Sequence, residues 1–155
     1  MVRRIVRWLA VLTAAVVVAV AVAGGSSEQR CGQAVDRGVL PEWARTGFSD
    51  KEPKIAHVIG REGELAAILF GDPLTAPQDS EHSNKILWVE RTPINAPGAL
   101  KIRARDGDRV VDRTVESGVG PSIVDLPAGC WTLDLSWSEG GHDTLVLRYA
   151  QGKPS

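Results

Sequence analysis

Three stretches of this chain carry side chains of the kinds that do chemistry. In Ser138-Glu139-Gly140-Gly141-His142-Asp143 an imidazole sits beside a carboxylate in a glycine-rich turn, the pairing that a general base and its orienting partner need. Asp79-Ser80-Glu81-His82 gathers carboxylate, hydroxyl and imidazole within four residues. Cys130 stands directly before Trp131, and Cys31 is the other of the chain's two cysteines. Each has a plainer reading. A glycine-rich His-Asp is commonly a solvated turn, and the Asp79 to His82 stretch, flanked by Pro77 and Asn84, reads as an exposed linker between strands. Asp106-Gly107-Asp108 looks like a fragment of a calcium loop but lacks further spaced oxygen ligands, which leaves a hairpin turn. The strings G-x-S-x-G, H-E-x-x-H and C-x-x-C are absent, as is a glycine-rich phosphate loop. None of His57, His82 and His142 has a context that points to Cys130, and two distant cysteines with three scattered histidines make a poor metal set. No catalytic residue, metal or cofactor is expected.

The compartment is written at the N-terminus. Arg3, Arg4 and Arg7 precede an apolar run from Leu9 to Ala23, and Gly-Gly-Ser-Ser follows. This is the charged, apolar and small-residue order of an export signal, and Ala21-Val22-Ala23 suits cleavage between Ala23 and Gly24. The alternative is an uncleaved anchor: about 15 apolar residues are short against the ~20 of a spanning helix, but tilt and bilayer thinning accommodate such a length. Both fates place the rest of the chain outside the cytoplasm, because the arginines stay inside. The expected organisation is a signal peptide or anchor over 1–23, an irregular lead-in over 24–50, a β-domain over 51–150 and a tail over 151–155.

Removing residues 1–23 from 155 leaves 132, enough for a single core. The same cut removes three arginines and takes the formal net charge from −1 to −4, which excludes a phosphate-binding nucleic-acid surface. Two cysteines in an exported chain are most simply a disulfide, since export puts them where disulfides persist and an even count leaves no thiol over. A Cys31 to Cys130 bridge would clamp nearly the whole domain. A catalytic thiol, metal ligation and separate thiols are the alternatives.

What must position these residues is a set of short strands. Eight runs of about seven residues, parted by Gly, Pro and Asp, follow the lead-in: KIAHVIG, ELAAILF, KILWVER, ALKIRAR, RVVDRTV, PSIVDL, WTLDLSW and DTLVLRY. Such spacing argues for an all-β sandwich or barrel. ELAAILF would also suit a helical turn, but its length and the bounding Gly63 and Gly71 favour a buried strand. Trp131, Leu133, Leu135 and Trp137 share one face of their run, and Leu145, Leu147 and Tyr149 one face of the next, so these two form a C-terminal hairpin with core-facing tryptophans. Leu100, Ile102 and Ala104 alternate with Lys101, Arg103 and Arg105 before the hairpin signal Asp106-Gly107. With those two as the turn, Arg105 faces Asp108, Lys101 faces Asp112 and Ile102 faces Val111. A three-residue turn would instead oppose Arg105 and Arg109, a like-charge pair. Trp43, in the lead-in, is the tryptophan best placed to be exposed and to touch a ligand such as a sugar ring.

Pro121-Ser122-Ile123, Leu126-Pro127, Gly129-Cys130-Trp131 and the following Leu133 and Leu135, with Lys85 to Trp88 as a second point, resemble a loose group of uncharacterised exported bacterial proteins with an immunoglobulin-like domain near the C-terminus. The resemblance covers about the last 100 residues. It implies an antiparallel immunoglobulin-like sandwich of seven to eight strands behind an N-terminal apolar helix, and it transfers no active site. Antibody domains differ, because here Cys and Trp are adjacent and no Tyr-x-Cys occurs. The expected role is a non-catalytic binding or interaction module for an envelope component, a wall glycan or a protein, with the membrane touched only through residues 1–23. The alternatives are a small extracytoplasmic hydrolase using His142 and Asp143 or the Asp79 to His82 loop, and a structural subunit of an envelope complex.

Overall fold

The computed structural model describes residues 31–78, 83–93 and 98–153. The expected signal or anchor helix and the Asp79 to His82 loop lie outside the described residues. Nine strands are present among those described: β1 (His57–Ile59), β2 (Leu65–Leu69), β3 (Leu74–Ala76), β4 (Lys85–Glu90), β5 (Leu100–Asp106), β6 (Arg109–Val115), β7 (Pro121–Ile123), β8 (Gly129–Ser136) and β9 (His142–Gln151). They form a four-stranded sheet, β1-β2-β4-β7, and a five-stranded sheet, β3-β9-β8-β5-β6. Alternation does the rest. Trp131, Leu133, Leu135 and Trp137 of the second sheet turn inward, as do Leu145, Leu147 and Tyr149, to meet Leu65, Ala67, Leu69, Ile86 and Trp88 of the first in one apolar cluster. ELAAILF is a strand buried at every position of β2, consistent with cover on both faces.

Two expectations are corrected. The sheet is not wholly antiparallel, because the strand β3 runs parallel to β9, pairing Leu74 with Tyr149 and Ala76 with Gln151. The three residues of β3 stand between Pro73 and Pro77, and prolines are tolerated at such a strand because it lies at the sheet edge. The β5–β6 hairpin does have a two-residue turn, but the turn is Gly107-Asp108, with Asp106 opposite Arg109, Arg105 opposite Val110 and Arg103 opposite Asp112. Gly107 takes the left-handed φ of 58° that a Cβ would resist. The Asp106 carboxylate and the Arg109 guanidinium form an ion pair across the turn. That pair closes the hairpin, whose one left-handed turn position is filled by glycine.

The lead-in is tied to the sheets. Bridges from Asp36 to His57 and from Val39 to Lys54 lay it beside β1, and a short 3-10 turn at Glu42–Ala44 follows. Leu40 and Ala44 are fully buried, as are Ala66 and Ile68 on the face of β2 that points away from the main core. Outer-face burial requires cover, and this segment is the one placed to supply it. Gln33 joins the two sheets, its amide donating to the Ile59 carbonyl of the edge strand β1 at 2.7 Å and its oxygen accepting from the Val146 N–H at 2.7 Å on the part of β9 that β3 does not pair.

Candidate functional site

The residues singled out by their chemistry sit at two ends of the second sheet. At one end Cys31 and Cys130 form a disulfide, with Cα atoms 5.3 Å apart and 99 residues between them in the chain. Trp131 beside it is fully buried, and its indole N–H donates to the Pro127 carbonyl at 2.7 Å. Arg109 lies over its ring, 4.9 Å from the centroid. The two thiols are therefore spent on the clamp, and neither is a free nucleophile.

At the other end, the β1–β2 turn, the end of β4 and the β8–β9 turn enclose a cavity of about 340 Å³. Glu62, Glu64, Glu90 and Glu139 line it with His142, and Trp137 forms its apolar side. Glycine shapes the turn, since a Cβ at Gly141 would overlap the Trp137 indole. His142 and Asp143 are neighbours in sequence but not in function. As successive residues of β9 they point to opposite faces. His142 is exposed, with Nδ1 3.3 Å from the Gly140 carbonyl. Asp143 is buried and accepts four backbone N–H bonds: from Glu62 (3.0 Å) and Thr144 (2.7 Å) on Oδ1, and from Glu64 (2.8 Å) and Leu65 (2.9 Å) on Oδ2. Burial works to raise its carboxyl, but the Glu62 side chain and the N–H groups of Glu62, Leu65 and Thr144 prevail and hold it below the ordinary carboxylate value. A Cβ at Gly60 would overlap this carboxylate, so the turn and the aspartate are built for each other. Asp143 ties the β1–β2 turn to β9 and is not hydrogen-bonded to His142, so the two make no base and orienter.

Trp43 is half-buried, and the Arg91 guanidinium lies 5.9 Å from its ring centroid. Arg91 donates its backbone N–H to the Glu64 carbonyl at 2.8 Å, which places Trp43 at the outer flank of the glutamate-lined end. Trp88, Trp131 and Trp137 are core residues, as alternation requires. The glutamates had no local signal, because Glu62, Glu90 and His142 come together only through the β1–β2 turn, the end of β4 and the β8–β9 turn. Asn84 was equally silent. Fully buried, it accepts the Thr75 N–H (2.9 Å), donates to the Thr75 carbonyl (2.8 Å) and donates to Asp125 Oδ1 (2.7 Å), pairing with Thr75 of β3 as a peptide unit would. Among the described residues, no group of three or more His, Cys, Asp and Glu is arranged to hold a metal ion.

No protein-family model, curated protein or solved structure matches this chain.

Proposed function

We propose that this protein is an exported, immunoglobulin-like β-sandwich that acts as a non-catalytic binding or interaction module at the cell envelope. The observation that carries the reading is the Cys31–Cys130 disulfide, because a bridge that fastens the start of the described chain to β8 suits an oxidising compartment and the apolar, arginine-led N-terminus supplies the route there. The strand arrangement supports the fold assignment: β1-β2-β4-β7 forms one sheet and β3-β9-β8-β5-β6 the other, and the consecutive strands β2 and β3 divide between them, with β3 pairing parallel to the last strand as an early strand does in immunoglobulin-like sandwiches. Commitment of Asp143 to four backbone donors and of both cysteines to the clamp favours binding over hydrolysis.

The test is retention. The exported protein, recovered from cells, is mixed with isolated wall and membrane fractions and with cytosolic particulates as a control. Retention by an envelope fraction alone supports the module, and equal recovery in every unbound fraction sinks it. A hydrolase panel on the same preparation, with His82→Ala and His142→Ala beside the unaltered chain, separates the enzyme alternative, which requires a turnover that one substitution abolishes.

A further inference from the structure

The outward face of β5, β6 and β8 is open to solvent and forms a groove of about 410 Å³. Its charges are unevenly matched. Three cations, Lys101, Arg103 and Arg105, alternate along β5 on this face, so successive heads are spaced by two residues, roughly 6.7 Å of strand. Arg103 lies opposite Asp112 on β6 and Asp134 on β8. It reaches both carboxylate oxygens of Asp112 at 3.4 Å, while Asp134 is taken diagonally by Arg105. Each aspartate thus answers one arginine. Lys101 has no acidic partner among the described residues; its cross-strand neighbours are Thr114 and Ser136, two exposed hydroxyls. In a chain whose exported part carries a formal charge of −4, this groove holds Lys101 framed by hydroxyls and, beside the two arginine–aspartate pairs, Arg113, whose guanidinium donates to the Asp125 and Asp112 backbone carbonyls.

We infer that this groove binds an anionic glycan, with Lys101 taking the acid group and the Thr114 and Ser136 hydroxyls and the Asp112 and Asp134 carboxylates meeting sugar hydroxyls. A carboxylate or phosphate on the sugar supplies the charge complement, and fixed donors and acceptors at sugar-ring spacing suit hydroxyl-rich chains. Ile102 and Leu135, the large apolar residues of the groove's lining, turn their side chains into the core, so the open surface offers polar and charged groups. The inference deepens the binding-module reading and rests on it, but it names a site that can fail by itself.

The experiment titrates the exported protein at low salt with three probes of equal length: a uronic-acid hexasaccharide, its carboxyl-reduced neutral counterpart and that neutral hexasaccharide carrying phosphate monoesters. Binding is read by calorimetry and by amide shifts of Lys101, Thr114 and Ser136. The expected result is binding of at least one anionic probe, loss with the neutral sugar, shifts at those three residues, and about tenfold weaker binding for Lys101→Gln, with Lys51→Gln unchanged. The stronger of the two anionic probes tells carboxylate from phosphate. Equal binding by Lys101→Gln overturns the site, as does the absence of binding by both anionic probes at millimolar concentration. An acidic decapeptide that binds through Lys101 where both glycan probes fail overturns the glycan assignment. Envelope retention measured in parallel separates the two levels. Wild type and Lys101→Gln retained alike leaves the module standing without this site, whereas no retention of either removes both.

Discussion

Replacing Asp143 by Asn tests whether this carboxylate is a structural tie. The side chain keeps its size and stays buried, but one acceptor oxygen becomes an NH2 group facing backbone N–H donors. Two of the four hydrogen bonds, to Glu62 and Thr144 or to Glu64 and Leu65, are lost. Bonds to a charged acceptor are worth about 1.5–3 kcal/mol each, so the loss of two is about 3–6 kcal/mol, a large share of the ~5–15 kcal/mol that holds a small domain together. With a urea dependence of about 1–3 kcal/mol per molar, the unfolding midpoint should fall by about 2 M, followed by tryptophan fluorescence with the disulfide intact. A fall below about 0.5 M refutes the reasoning. Acid supplies a second readout. The folded carboxyl is held below its ordinary value of 3.8, so its contribution is complete above that value and is lost as pH falls through the lower folded value. The unaltered protein should therefore lose stability below about pH 4 more steeply than Asp143→Asn, and parallel profiles would contradict the assignment. Gly60→Ala, whose Cβ meets the same carboxylate, should cost about 1–3 kcal/mol alone and much less in an Asp143→Ala background.

Other perturbations follow the same logic. Asn84→Ala strips both Thr75 backbone groups of their partner in the interior and should cost about 2–4 kcal/mol, read as a lower urea midpoint; no change would mean water replaces the amide. Tyr149→Phe deletes a buried hydroxyl that donates to the Val124 carbonyl at 2.6 Å and should cost about 1–2 kcal/mol in the same assay. Burial raises the Tyr149 pKa, with the Asp125 charge adding to it, so no tyrosinate absorbance should develop from the folded protein before alkaline unfolding. Cys31→Ser with Cys130→Ser opens a loop spanning 99 residues and should cost about 4–5 kcal/mol by loop entropy, lowering the thermal midpoint by more than any single hydrogen-bond deletion.

What the sequence makes plain are the features set by neighbours in the chain. Alternation in Trp131 to Trp137 and Leu145 to Tyr149 requires the C-terminal hairpin, and the apolar β2 run, bounded by glycines, marks a doubly covered strand. The β3 strand escapes because its three residues lie between prolines, whose usual message is a turn, and its pairing with β9 depends on residues 75 positions away. The β5–β6 register places Gly107 at the left-handed first position of the turn, whereas Asp106-Gly107 as the turn offers charge pairings of its own one residue earlier, so charge alone does not reveal the offset. Asp143 looks like half of a catalytic pair because its real partners, the N–H groups of Glu62, Glu64 and Leu65, lie about 80 residues upstream. The acidic end and the Lys101 groove are assembled across strands, so they have no signature in any single run.

The most direct test of the account is the intact mass of the protein recovered from outside the cytoplasm, kept non-reduced and treated with an alkylating reagent. The expected species is an unalkylated chain lighter by about two mass units than the dithiol form, beginning at Gly24 after cleavage or at Met1 if anchored. A protein found only in the cytoplasm, with both Cys31 and Cys130 alkylated without reduction, would contradict the clamp and the envelope role together.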